Sequence, residues 1–289
     1  MKNKHTFGGI CILSLVFIAV GSFLIVNYLS NHLTFNNYIE VAQTNPNNIE
    51  TSEEGSSSLH SGENTDVNEN HTKATEPMTE AKSSYVIDDF ESIIQTPELP
   101  TGCEITALTM VLNYYGYDAD KVVMATEYLP IAPTYFYYDS EGNLYGPDLN
   151  NYFIGDPTTT GGYICGTGAI TTAADDYLED VGSSMRAVDM TGSTPEELYQ
   201  LVSEDTPVVV WVTIYMVERS GVSGWYTESG EYVDWSTSDH GAVLIGYSED
   251  TVTIADPISG IVEYDRAAFE SVFKSRGNKC VILGMMISI

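Results

Sequence analysis

This chain of 289 residues is poor in cations, cysteine and histidine, and each shortage excludes something. Eleven Lys and Arg face 41 Asp and Glu, a formal net charge of −30. From Tyr85 onward there are 32 acidic residues against 7 basic ones, a net of 25 negative charges. Nucleic acid and anionic membrane surfaces need basic patches, so neither is an expected partner of this part. Four cysteines are too few for a disulfide scaffold. Cys11 lies in the apolar N-terminal run, and Cys165 and Cys280 could pair or both be free. Of five histidines, only His240 follows residue 84. His32, His60 and His71 lack metal-ligand spacing and read as solvated linker residues. The fragment DSEGN, residues 139–143, lacks the full spacing and closing Glu of a calcium loop. No metal or organic cofactor is expected.

Residues 7–29 form a run without a charge, long enough to span a bilayer. Lys2 and Lys4 precede it, and no Lys or Arg follows until Lys73. That asymmetry places the N-terminus in the cytoplasm and the rest outside. A cleaved signal peptide is the alternative, which would leave the protein secreted. Its apolar core is usually about 7–15 residues, and here the apolar run continues past the small residues 19–21. Ile10 before Cys11 is unlike a bacterial lipid-anchor site. Residues 30–84 are rich in Asn, Ser, Thr and Glu, with almost no aromatics after Tyr38, a composition that cannot bury enough apolar surface to offset chain entropy. The expected organisation is a cytoplasmic tip and transmembrane anchor at 1–29, a disordered stalk at 30–84 and an extracellular domain at 85–289.

Within that domain Thr101 or Gly102 can cap a helix starting near Cys103. Ile105, Leu108, Leu112 and Tyr115 recur at helical spacing, and Gly116 is a C-terminal stop. Residues 121–129 read as a short helix and 131–168 as a long functional connection or lid. Residues 170–181 read as a helix, and Thr194-Pro-Glu-Glu opens another with a capping box. Pro207 leads into VVVWVTIYM, a buried strand. Ser229-Gly230 marks a hairpin, residues 240–247 and 251–255 are strands, 266–275 is a helix and 281–289 a last strand. Helices first and an antiparallel sheet second indicate an α+β fold.

Cys103 stands where a loop becomes a helix, and a helix N-terminus offers free N–H groups and partial positive charge to a thiolate. A nucleophilic thiol also needs a base and a group to orient that base. His240 and Asp256 can supply these if the hairpin between them sets them side by side. The backbone N–H of Cys103 and the side-chain amide of Gln95 are candidate oxyanion donors. Against this, a Cys on an apolar helix is usually a small core residue, and a lone His is usually structural. Cys165, in the Gly-rich YICGTG, is a rival nucleophile without an evident donor. Trp211 reads as core. Trp225 and Trp235 are either packing or cleft wall, and with Gly102 they are the candidate substrate contacts.

The segments LPTGCEITALTMVLNYYGYDADK, GPD with FIGDP, PVVVWVTIYM, DHGAVLIGY and IADP resemble, in that order, the peptidase-like proteins related to bacteriocin-leader (double-glycine) peptidases, family thirty-nine of the cysteine peptidases. The resemblance covers about residues 85–285. It implies a papain-like fold, with Cys103 as nucleophile, His240 as base, Asp256 as orienting residue and Gln95 as oxyanion donor. The transporter-linked enzymes cut after a double glycine on the cytoplasmic side and carry Asp-Cys-Gly where this chain has Pro-Thr-Gly-Cys. Leader processing is therefore not carried over. The expected activity is hydrolysis of peptide amide bonds. A peptidoglycan stem-peptide amidase and an inert surface binding module are the alternatives. The sequence leaves the substrate and the oligomeric state open.

Overall fold

The structure, a computed structural model, describes residues 82–285. The expected anchor, nearly all of the stalk and the end of the last strand lie outside the described residues. Among the described residues no helix is long and apolar enough to cross a membrane.

In chain order, β1 (Tyr85–Val86) leads through a loop to α1 (Cys103–Tyr114). Gly102 is the N-cap, with no side-chain cap, and Gly116 takes a left-handed φ of 88° just past the end, where a Cβ would be strained. The helix expected at 121–129 is instead α2 (Lys121–Val123), capped by Asp120 and widened into a π turn over Met124–Tyr128. The long connection holds four two-residue strands: β2 (Ile131–Ala132), β3 (Tyr137–Tyr138), β4 (Leu144–Tyr145) and β5 (Phe153–Ile154). Next come α3 (Thr167–Asp180), β6 (Met185–Asp189) and α4 (Pro195–Ser203), whose Thr194–Glu197 capping box forms as expected. The buried run supplies β7 (Val208–Thr213), but the chain turns out of it at Tyr215 and Met216, both at positive φ. The hairpin forms from β8 (Ser223–Tyr226) and β9 (Tyr232–Trp235). Then follow β10 (Asp239–Tyr247), β11 (Thr251–Asp256), β12 (Gly260–Asp265), α5 (Arg266–Ser275) and β13 (Cys280–Met285).

The main sheet has the order β12-β11-β10-β7-β13-β6, with β1 added against β10, and every pairing is antiparallel. This is a mixed α+β domain, as expected. Strands β7 and β10 are buried at every position. Covered on both faces, they read as continuous apolar runs, whereas the edge strand β12 alternates. Helix α1 packs on this pair and is buried without a break from Cys103 to Leu112. A separate sheet, β3-β4-β8-β9, closes over a second small core of Leu149, Ile154, Ile164 and Trp225.

Candidate active site

Cys103 begins α1, and the strand that faces it explains its surroundings. A Cβ on Gly241 would lie 2.7 Å from Glu104 Cγ and 2.8 Å from Glu104 Cα. Only glycine lets β10 pass so near the start of the helix. The approach sets the residue after His240 against the residue after Cys103, and the Gly241 backbone N–H faces the Cys103 sulfur.

His240, 1% exposed, lies on β10 opposite Val212. Its Nε2 is 3.3 Å from Asp256 Oδ2, an ion-pair distance. The β10–β11 ladder, with Val243 opposite Ala255, delivers Asp256 to that position. The other oxygen of Asp256 accepts the backbone N–H groups of Ile258 (2.7 Å) and Ser259 (3.1 Å). Burial alone would push this carboxyl up, but His240 and the two N–H groups outweigh it and hold it below the usual range. Asp256 is therefore fixed and charged.

Gln95 is tied to the same corner, since its backbone N–H donates to Pro257 O at 2.8 Å. Its side-chain Nε2 donates to Pro100 O at 3.0 Å, and Oε1 is buried without a partner. Exchanging N and O would set two oxygens face to face, so this orientation is the sound one. One amide proton is committed to the loop leading to Cys103, leaving one for any ligand. Lys121 holds the loop from outside, bonding the Gln95 carbonyl at 3.1 Å and pairing with Glu98 at 2.9 Å. Thr101 Oγ1 donates to Thr159 O at 3.0 Å.

At Cys103 the pull of the helix N-terminus toward a thiolate is outweighed. Burial, and then the Glu104 carboxyl, push the thiol well above its ordinary value, against the weaker pull of the Gly241 and Cys103 N–H groups. The sulfur donates to Glu104 Oε2 at 3.3 Å. Glu104 is completely buried, its Oε1 has no hydrogen-bond partner, and burial raises its pKa to about 7. Sequence reasoning missed this residue, although a lone acid in the first turn of an otherwise uncharged helix was a usable signal.

It missed a second feature too. Asp239, beside His240, is gripped by Arg219 through two 2.8 Å contacts and by Arg276 at 3.2 Å, and accepts the Ser236 N–H at 2.8 Å. Arg219 also bonds Asp234 at 2.8 Å, so β9 and the start of β10 share one anchor. These residues are far apart in sequence, and no local pattern pairs them.

Trp225 is 3% exposed, donates to Pro147 O at 2.8 Å and packs on Phe136, which makes it a core residue of the smaller cluster. Trp235 sits at that cluster's edge, 4.6 Å from the Tyr163 ring. Gly102 is buried, and a Cβ there would meet Leu99 at 3.0 Å. Cys165 is fully buried, its carbonyl bonds Trp211 Nε1 at 2.8 Å, and burial raises its thiol pKa. Cys103, Cys165 and Cys280 are all free thiols, so Cys165 and Cys280 do not pair. Asp139, which opens the DSEGN turn, spends its oxygens on the N–H groups of Glu141 and Asn143 and the Asn143 side chain.

Three comparisons bear on this arrangement. Residues 87–281 match the peptidase C39-like family. The YvpB protein of Bacillus subtilis (strain 168), itself uncharacterized, is 30% identical over 191 residues, covering 66% of this chain and 72% of its own. A crystal structure from Bacillus anthracis, of a protein assigned as a C39-like peptidase, superposes with a TM-score of 0.62 at 29% identity. It covers 71% of this chain and 99% of its own.

Proposed function

The chain belongs to the peptidase C39-like family, and on that premise we propose that it is a cysteine hydrolase that cleaves peptide amide bonds on a papain-like scaffold. The supporting observation is the juxtaposition of His240 with a fixed, charged Asp256 on one side and, through Gly241, with the Cys103 sulfur on the other. Asp256 engages Nε2, which leaves Nδ1 as the nitrogen to exchange a proton with the thiol. His240 takes the proton from sulfur, and the thiolate attacks the carbonyl carbon. As the C–N bond breaks, His240 returns the proton to the leaving amine. Water then hydrolyses the thioester by the reverse proton route. The Cys103 N–H and the free amide proton of Gln95 stabilise the oxyanion. Gly102 and Trp235 are the proposed substrate contacts, since Trp225 is occupied in packing.

The charge-free run at residues 7–29, with Lys2 and Lys4 before it and no Lys or Arg after it until Lys73, supports a single membrane anchor with the hydrolase outside the cell. Peptide or cell-wall stem peptide is then the accessible substrate. The test is incubation of the purified chain with a peptide library and, separately, with isolated peptidoglycan, reading new amino termini. Products from wild type and none from Cys103→Ala support the proposal, and the substrate that yields them separates peptidase from wall amidase. No products from either substrate would leave a binding module.

A further inference from the structure

Glu104 is the buried group that the proposed reaction does not use, and it touches the reacting atom. Its Oε2 accepts the Cys103 S–H at 3.3 Å, Oε1 is buried without a hydrogen-bond partner, and among the described residues no cation is paired with the carboxyl. A buried carboxylate in that condition is costly, and protonation removes the cost. The groups that bear on it are Cys103 on its own helix, the Cys165 N–H and thiol before α3, Asp239 on β10, and Arg276 after α5, whose nearer partner is Asp239.

We propose that Glu104 is a further catalytic residue, a proton gate on the Cys103 nucleophile. The proposal rests on the cysteine-hydrolase reading above. In the closed state the carboxylate holds the thiol proton and its charge opposes formation of a second anion beside it. In the open state Glu104 carries a proton of its own, releases the S–H and donates its O–H to sulfur. The thiol proton passes to His240, leaving a thiolate and an imidazolium. Passing from open to closed, the thiolate regains a proton while His240 and Glu104 each lose one, so one proton goes to solvent. Higher pH therefore closes the gate. The same side chain fits the close crossing at Gly241, where its Cγ occupies the space a Cβ would take.

The test follows iodoacetamide alkylation of Cys103 alone, by peptide-resolved mass spectrometry of the purified full chain, from pH 5 to 9. Wild type, Glu104→Gln and His240→Ala are compared. Glu104→Gln keeps a donor toward sulfur and cannot ionise. The expected ratio of Glu104→Gln to wild-type rates is near one at pH 5.5 and about tenfold or more at pH 8.5, a shift of about one pKa unit or more in the thiol. The wild-type rate should fall as pH rises through about 7, where burial places the Glu104 pKa. A ratio independent of pH overturns the gate while leaving the hydrolase reading intact. Should Glu104→Gln not fold, the wild-type profile decides alone: a rate that only rises with pH overturns the proposal. Slow alkylation at every pH, unchanged in His240→Ala, overturns the Cys103–His240 reading itself and the gate with it.

Discussion

Two buried carboxyls flank the candidate site, and their surroundings are opposite. Asp256, at the end of β11, is 2% exposed and engages both oxygens, one with His240 and one with two backbone N–H groups. Glu104, in the first turn of α1, is fully buried, with one oxygen on a thiol and the other on nothing. Partnership holds the first carboxyl charged below its usual range, whereas burial lifts the second to about 7 against the weaker pull of its own N–H, the Cys103 thiol and the Cys165 N–H. Desolvation prevails at Glu104, while His240 and two backbone N–H groups prevail at Asp256, so one acid is held charged and the other can take up a proton near neutrality.

The largest expected break is on the Asp256 side. Asp256→Ala removes the charge behind His240 and leaves two backbone donors without an acceptor. Turnover should fall at least ~100-fold, and stability should drop by about 2 kcal/mol, as read by urea denaturation. Next is Arg219→Ala, which leaves buried Asp239 with Arg276 as its one cation beside the Ser236 N–H. A loss of about 3 kcal/mol is expected, with Asp234 and β9 loosening in hydrogen exchange. A loss under ~1 kcal/mol would mean that Arg276 suffices. Glu104→Gln should act with the opposite sign. Because burial raises the folded pKa of Glu104, its protonated form stabilises the fold fully at low pH. That contribution is lost as pH rises from about 4.5 through about 7. The variant should thus match wild type near pH 4 and exceed it by an amount on the order of 3 kcal/mol at pH 8. Asp256 works the other way, its contribution being lost as pH falls below the ordinary carboxylate range. The smallest effect is Gly241→Ala, where the added methyl must push α1 off β10 at a cost of about 1–3 kcal/mol. Its Cys103 alkylation rate should move away from wild type even where the fold survives.

What could be read from the sequence follows the range of the interactions involved. The capping box at Thr194, the helix at residues 266–275 and the hairpin at Ser229-Gly230 are local, and each forms close to expectation. The β10–β11 hairpin is also local, which is why His240 and Asp256 could be paired across a short turn. β6 was not foreseen, because its partly exposed MRAVD is held by pairing with β13, nearly a hundred residues away. The second half of the helix expected at 121–129 widens into a π turn that closes on Met124 through the Leu129 N–H, a detail that helical periodicity does not encode. At the site, Cys103, His240, Asp256 and Gln95 were legible as residue types with known chemistry. The environment of the thiol was not. It depends on the distance at which Gly241 passes Glu104, which is a property of packing.

The central claim is that Cys103 and His240 act as one unit, and the most direct measurement is the alkylation rate of Cys103 at pH 6 in wild type and in His240→Ala. At that pH an ordinary thiol is almost entirely protonated. A wild-type rate at least ~10-fold above that of the variant is the predicted result, since the proposal makes His240 the acceptor of the thiol proton. Equal, slow rates in the two proteins would contradict the account, leaving Cys103 a buried structural thiol at the start of α1.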